Sequence, residues 1–453
     1  MGKRLVLINP VNPRRVGLTA SLSSRFPPLA LGVVAALTPG DWEIEIVDEN
    51  FEPFAFREAD LVGLTAFTVA ATRAYEIAAR YRERGIPTVL GGIHASMLPE
   101  EALQYVDTVV VGEAERVWPK VISDFEAGAM RRVYRAEWPD LTGMPCARRD
   151  LFHPAYKYAS IQTARGCPLD CEFCSVTAFN GHRYRTRPVA DVLDELETIP
   201  QKVVFFVDDN IIGYGERGAE RALALFQGMI ERGIKKDWLC QASMGFADND
   251  DVLEYAGRSG CRMVFLGVEA ENPEALEEMN KKLNIRMTRE GYEETFRRIH
   301  RHGIAVLGSF IYGMDSDTPE TMSRRTDYIL EGGVDAVQTT CLTPLPGTRL
   351  FKRLEDEGRL LYTDFPRDWD HYDMLEVAHR PLLLTADELA IFGLRSMRRA
   401  YDRRAIVRKF VKTLRATRSL TAALWAYTSN TSYRKVLTGI QVSNEDGRGD
   451  RRR

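Results

Sequence analysis

The stretch RGCPLDCEFC, residues 165–174, places three cysteines at spacings of four and then three residues, with no fourth cysteine nearby. A structural zinc site needs four ligands, usually as two separated pairs, so zinc fits this stretch poorly. Three thiolates can instead hold three irons of a 4Fe–4S cluster, which leaves the fourth iron open to a substrate. Unrelated buried thiols are the remaining alternative. The spacing therefore favours Cys167, Cys171 and Cys174 as ligands of a 4Fe–4S cluster.

The segments on either side of this motif agree with that interpretation. A strand-like apolar run, residues 158–164, precedes it, and a helical pattern, residues 188–196, follows it. Loops after strands, at the carboxyl end of a parallel sheet, are where such folds place their chemistry. With an aromatic residue before its last cysteine, the motif resembles the signature of the radical S-adenosylmethionine (SAM) superfamily. The resemblance implies that the open iron binds the amino and carboxylate groups of SAM and delivers the electron that cleaves it.

Composition limits the kind of protein that carries this motif. The 453 residues are too many for one ordinary core and predict two or three domains. A hydrophobic content of 45% and a formal net charge of −3 indicate a soluble globular protein and give no reason to expect a nucleic-acid partner. Seven cysteines with one tight cluster favour a reducing compartment and metal chemistry. Without a signal-peptide layout or a membrane-spanning run, a cytoplasmic location is expected.

The first 140 residues alternate short apolar runs with helical patterns, which predicts a parallel sheet covered on both faces. We expect strands at residues 4–9, 43–47, 61–66, 88–91 and 108–111. This layout is doubly wound, or Rossmann-like, and such sheets bind ligands at the carboxyl ends of their strands. Residues 1–140 are therefore predicted to form an α/β domain of their own.

Residues 150–364 repeat the strand–helix alternation with longer units. We expect strands at residues 158–164, 202–207, 238–242, 262–268, 305–311 and 336–342. Six strand–helix repeats fit a partial (β/α)6 barrel open on one side, which is the architecture that the radical SAM resemblance implies. Beyond the barrel, residues 365–442 are predicted to form a helical C-terminal domain, and residues 443–453 a disordered polar tail.

Strand ends of the predicted barrel carry motifs similar to those that bind SAM in this superfamily. The resemblance implies that Phe173 packs near the adenine and that Asp208 and Asp209 accept hydrogen bonds from the SAM amino group. Glu269 would accept hydrogen bonds from the ribose hydroxyls, and the backbone opened by Gly313 would contact the adenine. Capping of a helix N-terminus is the alternative role for the two aspartates.

A second ordered set of residues lies mostly at strand ends of the N-terminal domain. In their order they resemble the cobalamin-binding domain found in front of many radical SAM enzymes. Glycines at these positions let the backbone approach a broad flat macrocycle closely, although ordinary tight turns also use glycine. The resemblance implies cobalamin contacts from Pro10, Thr65, Gly91, Gly92, His94, Gly112 and Glu113.

One loop departs from the cobalamin pattern. Domains that coordinate cobalt from below use Asp-x-His-x-x-Gly after the second strand, and the matching stretch here is DENFEP, residues 48–53. Asn50 stands at the histidine position and Pro53 at the glycine position. We therefore expect no histidine ligand to cobalt from this loop. His94, the only histidine of the domain, is expected to be a contact or a satisfied polar residue rather than a ligand.

Other candidates have weaker signals. Cys146 and Cys341 are expected to pack, because free cysteine is among the most buried residue types. Between Arg398 and Lys435 there are eleven Lys or Arg residues and one acid, with apolar residues between them. This basic amphipathic pattern is compatible with peripheral contact to an anionic membrane surface, and equally with a capping helix whose basic face is solvated.

Over nearly its whole length the chain resembles cobalamin-dependent radical SAM enzymes, whose members include hopanoid and bacteriochlorophyll methylases. The resemblance implies C-methylation of an unactivated carbon. One SAM methylates cob(I)alamin, and a 5′-deoxyadenosyl radical from a second SAM abstracts a substrate hydrogen. The substrate radical then takes the methyl group from methylcobalamin. Implied partners are a small-molecule substrate, lipid-like or a tetrapyrrole, and a low-potential electron donor such as flavodoxin or ferredoxin.

Three alternatives remain. The first is a radical cyclisation or rearrangement on the same apparatus, without methyl transfer. The second, a methylthiotransferase, is disfavoured because no cysteine precedes Cys146. The third is a non-catalytic cobalamin sensor, which the intact cysteine motif disfavours.

Overall fold

The computed structural model describes residues 2–12, 25–136, 138–285 and 289–449. Its first part is a six-stranded sheet with the strand order β2-β1-β3-β4-β5-β6. The strands are β1 (Arg4–Asn9), β2 (Glu43–Asp48), β3 (Leu61–Thr65), β4 (Thr88–Gly91), β5 (Thr108–Val111) and β6 (Val133–Arg135). The helices are α1 (Leu29–Ala36), α2 (Ala71–Arg82), α3 (Ile93–Met97), α4 (Pro99–Tyr105) and α5 (Trp118–Glu126).

The central strand β1 shows why both faces of this sheet are covered. Leu5 and Leu7 pack against α1 and α5, whereas Val6 and Ile8 pack against α2 on the other face. All neighbouring strands pair in parallel, which confirms the doubly wound fold. The chain leaves β1 for β2 and returns to β3 on the far side of β1. The ligand crevice of such a sheet lies at that reversal, beside the carboxyl ends of β1 and β3.

The second part is another six-stranded parallel sheet, with the order β14-β13-β12-β11-β10-β7. Its strands follow chain order, and β7 and β14 do not pair, so the expected partial barrel is confirmed. A two-stranded antiparallel pair, β8 and β9, lies between β7 and β10 in the chain. The strands are β7 (Ala159–Ile161), β8 (Ala164–Arg165), β9 (Arg185–Thr186), β10 (Val203–Phe206), β11 (Asp237–Ala242), β12 (Cys261–Glu269), β13 (Ala305–Tyr312) and β14 (Ala336–Cys341).

Helices cover the outer face of the barrel. Val264 and Leu266 of β12 point into a core shared with these helices, as the period-two alternation of a strand requires. The helices of this part are α6 (Ser175–Asn180), α7 (Val189–Thr198), α8 (Gly215–Glu231), α9 (Asp250–Ser259), α10 (Pro273–Glu278), α11 (Lys282–Ile285), α12 (Arg289–Arg301), α13 (Pro319–Glu331) and α14 (Arg349–Asp356).

Three further helices complete the chain: α15 (Ala386–Ala400), α16 (Arg403–Thr417) and α17 (Leu420–Gly449). Ala422 and Ala426 of α17 pack against Met263 and Leu307, which face away from the outer helices. Helix α17 therefore lies across the inner face of the barrel sheet. It includes residues 443–449, which we expected in a disordered tail, and residues 450–453 lie outside the described residues.

The two sheets share a core. One buried cluster contains Ala95 and Ala102 of the N-terminal domain together with Ile311, Met314 and Leu342 of the barrel. Because side chains of both domains are interleaved there, the domains pack directly against each other. No described helix is both long and apolar enough to cross a membrane.

Candidate active site between two sheet edges

The three motif cysteines lie on one loop, residues 166–184, which connects β8 to β9 and is called the cluster loop below. Gly166 begins the loop with φ 89, and a Cβ there would lie 2.3 Å from the carbonyl oxygen of Arg183. Only glycine fits that position. The N–H of Cys174 donates to the carbonyl of Cys171 at 3.3 Å, and α6 begins immediately afterwards.

All three cysteines of this loop are free. Burial raises the pKa of Cys167 and Cys171, and raises that of Cys174 to about 11, so iron binding must displace their protons. Their charges influence one another, which places them in one electrostatic neighbourhood. In the described part of the chain no three His, Cys, Asp or Glu side chains converge to hold a single metal ion. A cluster needs no such convergence, because each thiolate binds a different iron.

Helix α14 holds the outer side of the cluster loop. Arg349 donates to the carboxylate of Asp170 at 2.7 Å, and Arg353 donates to that of Glu172 at 2.8 Å. The N–H of Glu172 also donates to the carbonyl of Met279 at 3.1 Å. These contacts fix the loop against α14 and the residue after α10, and α14 itself packs in the core shared with the N-terminal domain.

The two acids after β10 have different environments. Asp208 is fully buried and accepts hydrogen bonds from the N–H of Thr163 at 2.5 Å and of Ala164 at 3.1 Å. It therefore fixes the entry to the cluster loop, and this position does not support our expectation that it binds SAM. Asp209 is half-buried and accepts from Asn180 at 3.1 Å. Burial, reinforced by the charge of Asp208, raises the pKa of Asp209 to about 6.

Glu269 ends β12 in a strained conformation. Its φ is 64, which costs a non-glycine residue about 1–3 kcal/mol and is found mainly at ligand sites. Its carboxylate accepts hydrogen bonds from Lys281 at 2.7 Å and from Ser309 at 3.3 Å. Asn280, next to that lysine, also has a positive φ of 53. The strained Glu269 therefore lies at the strand end where the ribose contact was predicted.

Lys281 is a site residue to which the sequence analysis gave no role. Burial lowers its pKa, but the charges of Glu269 and of the Cys171 and Cys174 thiolates together raise it, so the amine stays protonated. This cation lies within electrostatic reach of two predicted cluster ligands. Its sequence signal was its position twelve residues after a strand-end glutamate.

The other two predicted SAM contacts, Phe173 and Gly313, are both packed against other parts of the protein. Phe173 is half-buried and packs on the core shared by the two domains. Gly313 is buried with φ 99, its N–H donates to Asp317 at 2.8 Å, and its carbonyl accepts from His379 at 3.0 Å. Its only backbone donor is therefore already used. Gly313 can shape the strand end, but its N–H is not free to donate to adenine.

The carboxyl edge of the N-terminal sheet is built largely from backbone. Thr65, Gly91, Gly92 and Gly112 are all half-buried, so their backbones reach the surface of this edge. Gly92 has φ 93, and a Cβ there would lie 2.7 Å from the hydroxyl oxygen of Thr65. Ser96, which we did not predict, donates to the carbonyl of Gly92 and accepts from the N–H of Gly112 at 2.8 and 2.9 Å.

An exposed aromatic ring borders the same edge. Phe67, two residues beyond the end of β3, is 74% exposed. Strand-end glycines leave the neighbouring backbone without side-chain cover. A surface of bare backbone beside an apolar ring fits a flat macrocycle such as cobalamin.

His94 is not part of that surface. It is fully buried, and its imidazole contacts the hydroxyls of Thr68 at 3.4 Å and Tyr75 at 3.2 Å and the carboxylate of Glu101 at 3.2 Å. Of the two roles expected for His94, this geometry supports the satisfied polar residue and not the cobalamin contact.

Glu113 and Pro10 also differ from expectation. Glu113 is 4% exposed, and its carboxylate accepts from Arg165 at 2.7 Å and from Arg185 at 3.0 Å, both in the barrel domain. It therefore joins the two domains instead of facing a macrocycle. Pro10 is buried directly after β1, at the ligand crevice, and can contribute there only through the path of the backbone.

The loop at residues 48–53 is covered by the segment that links the domains. The ring of Phe51 stacks on His153 at 4.1 Å, and Asn50 donates to the hydroxyl of Tyr156 at 3.2 Å. This packing supports the expectation that the loop supplies no cobalt ligand.

The two outlying cysteines have different environments. Cys341 is 5% exposed and donates to the carbonyl of Leu375 at 3.4 Å, as expected for a packed thiol. Cys146 is exposed, so the expectation that it packs is wrong.

Comparison with known proteins agrees with this two-edged site. The Radical SAM superfamily matches residues 161–329, and the B12 binding domain matches residues 15–122. The bacteriochlorophyllide d C-12(1)-methyltransferase of Chlorobaculum tepidum is 31% identical over 423 residues, which are 90% of this chain and 89% of that protein. The chain belongs to the cobalamin-dependent radical SAM methyltransferase family. This membership confirms the resemblance on which the sequence analysis relied.

Other similar proteins place the methyltransferase in the same group. The hopanoid C-2 methylase of Rhodopseudomonas palustris is 27% identical over 405 residues, which are 87% of this chain and 74% of that one. The fold is similar to that of the radical SAM methyltransferase TsrM from Kitasatospora setae, solved with cobalamin and a [4Fe–4S] cluster bound. The TM-score is 0.65 at 20% identity, covering 81% of this chain and 76% of that one.

The methyltransferase thus uses three cofactors: a 4Fe–4S cluster, SAM and cobalamin. The candidate site has two edges: Cys167, Cys171, Cys174, Asp209, Glu269 and Lys281 are the candidates at one, and the glycine-rich backbone of the N-terminal sheet is the candidate surface at the other. The residues that hold the two edges together, Arg165 and Arg185, were not predicted, although Arg165 is the first residue of the deciding stretch.

Proposed function

We propose that this enzyme methylates an unactivated carbon of a large, mostly apolar small molecule. The observation that carries the proposal is the ion pair between Glu113 and Arg165 at 2.7 Å. It joins the loop after β5, at the cobalamin edge, to the strand that leads into Cys167. Both predicted cofactor edges therefore open onto one interface, where a carbon radical made at one edge could meet a methyl donor held at the other.

The cofactors supply radical formation and the methyl group, and the protein's own residues orient them. Cys167, Cys171 and Cys174 would hold three irons. Asp209, an acceptor beside the cluster loop, suits the amino group of SAM. Lys281 suits the carboxylate of SAM, because it is a cation within electrostatic reach of two thiolates. The shared apolar core behind this edge keeps bulk water from one side of the site.

The substrate class is proposed from the apolar surfaces around the two edges. Phe67 lies exposed at the cobalamin edge, and Phe26 is 38% exposed. The ring centroid of Phe26 lies 4.9 Å from that of Phe205, on β10 of the barrel. Two exposed rings suit a broad hydrophobic molecule. The relatives named for bacteriochlorophyllide and hopanoid substrates support a tetrapyrrole or a lipid-like polycycle.

The test follows the methyl group in reconstituted enzyme under anaerobic conditions. SAM with a deuterated methyl group is supplied with a metabolite extract, and product masses are compared with those from the Cys167→Ala variant. We expect a product that has gained one labelled methyl group, with 5′-deoxyadenosine and S-adenosylhomocysteine formed in equal amounts. 5′-Deoxyadenosine without a labelled product would instead indicate cyclisation or rearrangement. Formation of neither nucleoside would indicate a cobalamin-binding sensor.

The electron that reduces the cluster is proposed to come from a flavodoxin or ferredoxin that docks on the outer side of the cluster loop. A solvent-open depression there is lined by three acids, two arginines and an asparagine: Glu172, Glu278, Asp315, Arg349, Arg353 and Asn280. Arg349 is exposed but already pairs with Asp170 at 2.7 Å, so a carboxylate of the donor would share its guanidinium with Asp170. Arg349→Glu should slow cluster reduction by reduced flavodoxin and leave reduction by dithionite unchanged. Equal slowing with both reductants would contradict this docking site.

We further propose that the α16–α17 hairpin rests on an anionic membrane surface. Val407, Val411, Leu420 and Leu424 are 55%, 37%, 58% and 45% exposed, although they are aliphatic. Exposed cations lie between and beside them, namely Arg404, Arg408, Lys412, Arg415 and Arg418. Apolar side chains flanked by cations are the surface that binds anionic headgroups.

Vesicle sedimentation tests this contact. The enzyme should bind phosphatidylglycerol vesicles and not phosphatidylcholine vesicles. Arg404→Glu with Arg408→Glu should weaken binding roughly tenfold or more, since each cation near an anionic surface contributes about 1 kcal/mol. The matched control is Arg82→Glu with Arg84→Glu, at and just beyond the end of α2 in the N-terminal domain. If both double variants lost vesicle binding equally, the cause would be the change in net charge. That result would contradict a specific contact by the hairpin.

A further inference from the structure

The cluster loop has two ends, and one carboxylate from the other domain contacts both. Arg165, in β8, leads into the loop, and Arg185, in β9, receives the chain after it. The carboxylate of Glu113 accepts from Arg165 at 2.7 Å and from Arg185 at 3.0 Å. Glu113 directly follows Gly112 at the cobalamin edge. A single side chain therefore links the predicted cobalamin surface to both ends of the loop that carries the three cysteines.

Glu113 supplies the carboxylate that both arginines share. The three side chains are 4%, 9% and 8% exposed for Glu113, Arg165 and Arg185, so water screens them little. Arg165 has a second acidic partner, Glu115, at 2.5 Å. Among the described residues, Arg185 has Glu113 as its acidic partner, and its other acceptors are the carbonyls of Pro139 and Asn180. Loss of the Glu113 charge would leave the buried Arg185 guanidinium without a hydrogen-bonded carboxylate, with Glu115 as the nearby negative charge.

We propose that Glu113 is a positioning residue that sets the distance and orientation between the cluster loop and the cobalamin edge. The inference rests on the proposed function, since that function requires a radical and a methyl donor at one interface. A bidentate carboxylate between two guanidinium groups fixes direction as well as distance. Reactions of this kind lose rate steeply when reacting groups move by about 1 Å. Glu113 acts through the arginines and touches no reacting atom.

Pulsed electron paramagnetic resonance on the holoenzyme tests the inference through the dipolar coupling between the reduced cluster and cob(II)alamin. The wild type should give one narrow distance distribution. Glu113→Gln should broaden it, and Glu113→Asp, which keeps the charge on a shorter side chain, should broaden it less. In both variants 5′-deoxyadenosine should rise relative to methylated product. Iron and corrin contents should stay at wild-type values.

Asp335→Asn is the matched control. Asp335 is a carboxylate 3% exposed, and its partners His300, Val306 and Thr413 all lie outside the domain interface. This variant should lose stability while keeping the narrow distribution. A narrow wild-type distribution in both Glu113 variants would overturn the positioning role. So would equal broadening in the control, since that would trace the effect to lost stability.

A second measurement is independent of cobalamin. In cluster-loaded protein, amide hydrogen exchange across residues 164–186 should be faster in Glu113→Gln than in the wild type, and unchanged in the Asp335 control. Unchanged exchange in Glu113→Gln would count against the inference whether or not corrin binds. If the wild type bound no corrin but showed this difference, the proposed function would fail while the positioning role survived.

Discussion

The two edges of the site are built in opposite ways. At the barrel edge the predicted residues are side chains with chemistry of their own: three free thiols, Asp209 and Glu269, with Lys281 added by the structure. At the N-terminal edge the predicted side chains His94 and Glu113 point into the protein, and what remains at the surface is backbone. A polar residue in a binding motif can therefore serve either the ligand or the scaffold that shapes the ligand surface.

The difference follows from what each cofactor needs. Iron and SAM require specific ligands and charges, so they are bound by side chains whose identity is fixed. A macrocycle needs a broad surface free of side chains, so glycines expose the backbone while buried polar groups hold the strand ends in place. We accordingly expect substitutions at the barrel edge to change chemistry, and substitutions beneath the N-terminal edge to change stability or fit.

The largest effect is expected at the cysteines. Cys167→Ala, Cys171→Ala or Cys174→Ala should each abolish the cluster and with it SAM cleavage, because no further thiol lies in the motif. Iron and sulfide content and 5′-deoxyadenosine formation measure this directly. Cys146→Ala, which removes an exposed cysteine elsewhere, is the control and should retain both. A full cluster in a variant with all three cysteines replaced by alanine would show that these cysteines do not hold the cluster.

The next largest effect is expected on SAM affinity. Asp209→Ala, Glu269→Ala and Lys281→Met should each weaken SAM binding roughly ten- to hundredfold, because each removes charge-assisted hydrogen bonds worth about 1.5–3 kcal/mol. Equilibrium binding to the cluster-loaded protein measures the change. Cluster content should stay intact.

The control for that series is Glu271→Gln. Glu271 lies two residues beyond Glu269 but pairs with Arg325 at 3.2 Å on the outer side of the barrel. SAM affinity should not change in this variant. If Glu269→Ala and Glu271→Gln behaved alike, the strained end of β12 would be a structural feature and not a SAM site.

The sequence predicted the parts of this molecule that depend on local pattern. Alternating apolar runs located five strands of the first sheet and all six of the barrel sheet, but missed β6, whose two apolar residues stand between arginines and give no apolar run. Cysteine spacing singled out Cys167, Cys171 and Cys174 as candidate cluster ligands, because that chemistry needs a fixed local loop. It could not separate Asp208 from Asp209, since neighbouring residues at a strand end differ only in which way the fold points them.

For the same reason, the sequence could not predict which side chains pair across long distances in the chain. The partners of Glu113 lie 52 and 72 residues away, and no local signal links them. His94 met its expected satisfied role through Tyr75 and Glu101, which come together only when α2 and α4 pack. A motif resemblance singles out such residues without giving the direction of their side chains.

An intermediate effect is expected at the cobalamin edge. Gly92→Ala should lower the corrin content of the reconstituted enzyme several-fold, because a Cβ there would lie 2.7 Å from the Thr65 hydroxyl and would distort the strand ends. Gly85→Ala is the control: it has the same left-handed requirement, with φ 69, and nothing within 4 Å of its Cβ. That variant should lose about 1 kcal/mol of stability and keep its corrin. Equal corrin loss in both variants would contradict a specific role of the glycine edge in cobalamin binding.

The smallest effect concerns the polar group beneath that edge. Burial raises the pKa of Glu101, but hydrogen bonds from His94, Trp369 and Tyr75 outweigh it and hold the pKa below its ordinary value. The ionised carboxylate therefore stabilises the fold at pH above its unfolded pKa of about 4.3, and this contribution is lost as the pH falls through the lower folded value. Glu101→Gln should reduce the free energy of unfolding by about 1 kcal/mol at pH 7, a difference that shrinks only as the pH falls below about 4.3. Denaturant unfolding at several pH values measures it. Corrin content should stay unchanged in this variant. A loss of corrin would indicate that the His94–Glu101 pair belongs to the cobalamin site.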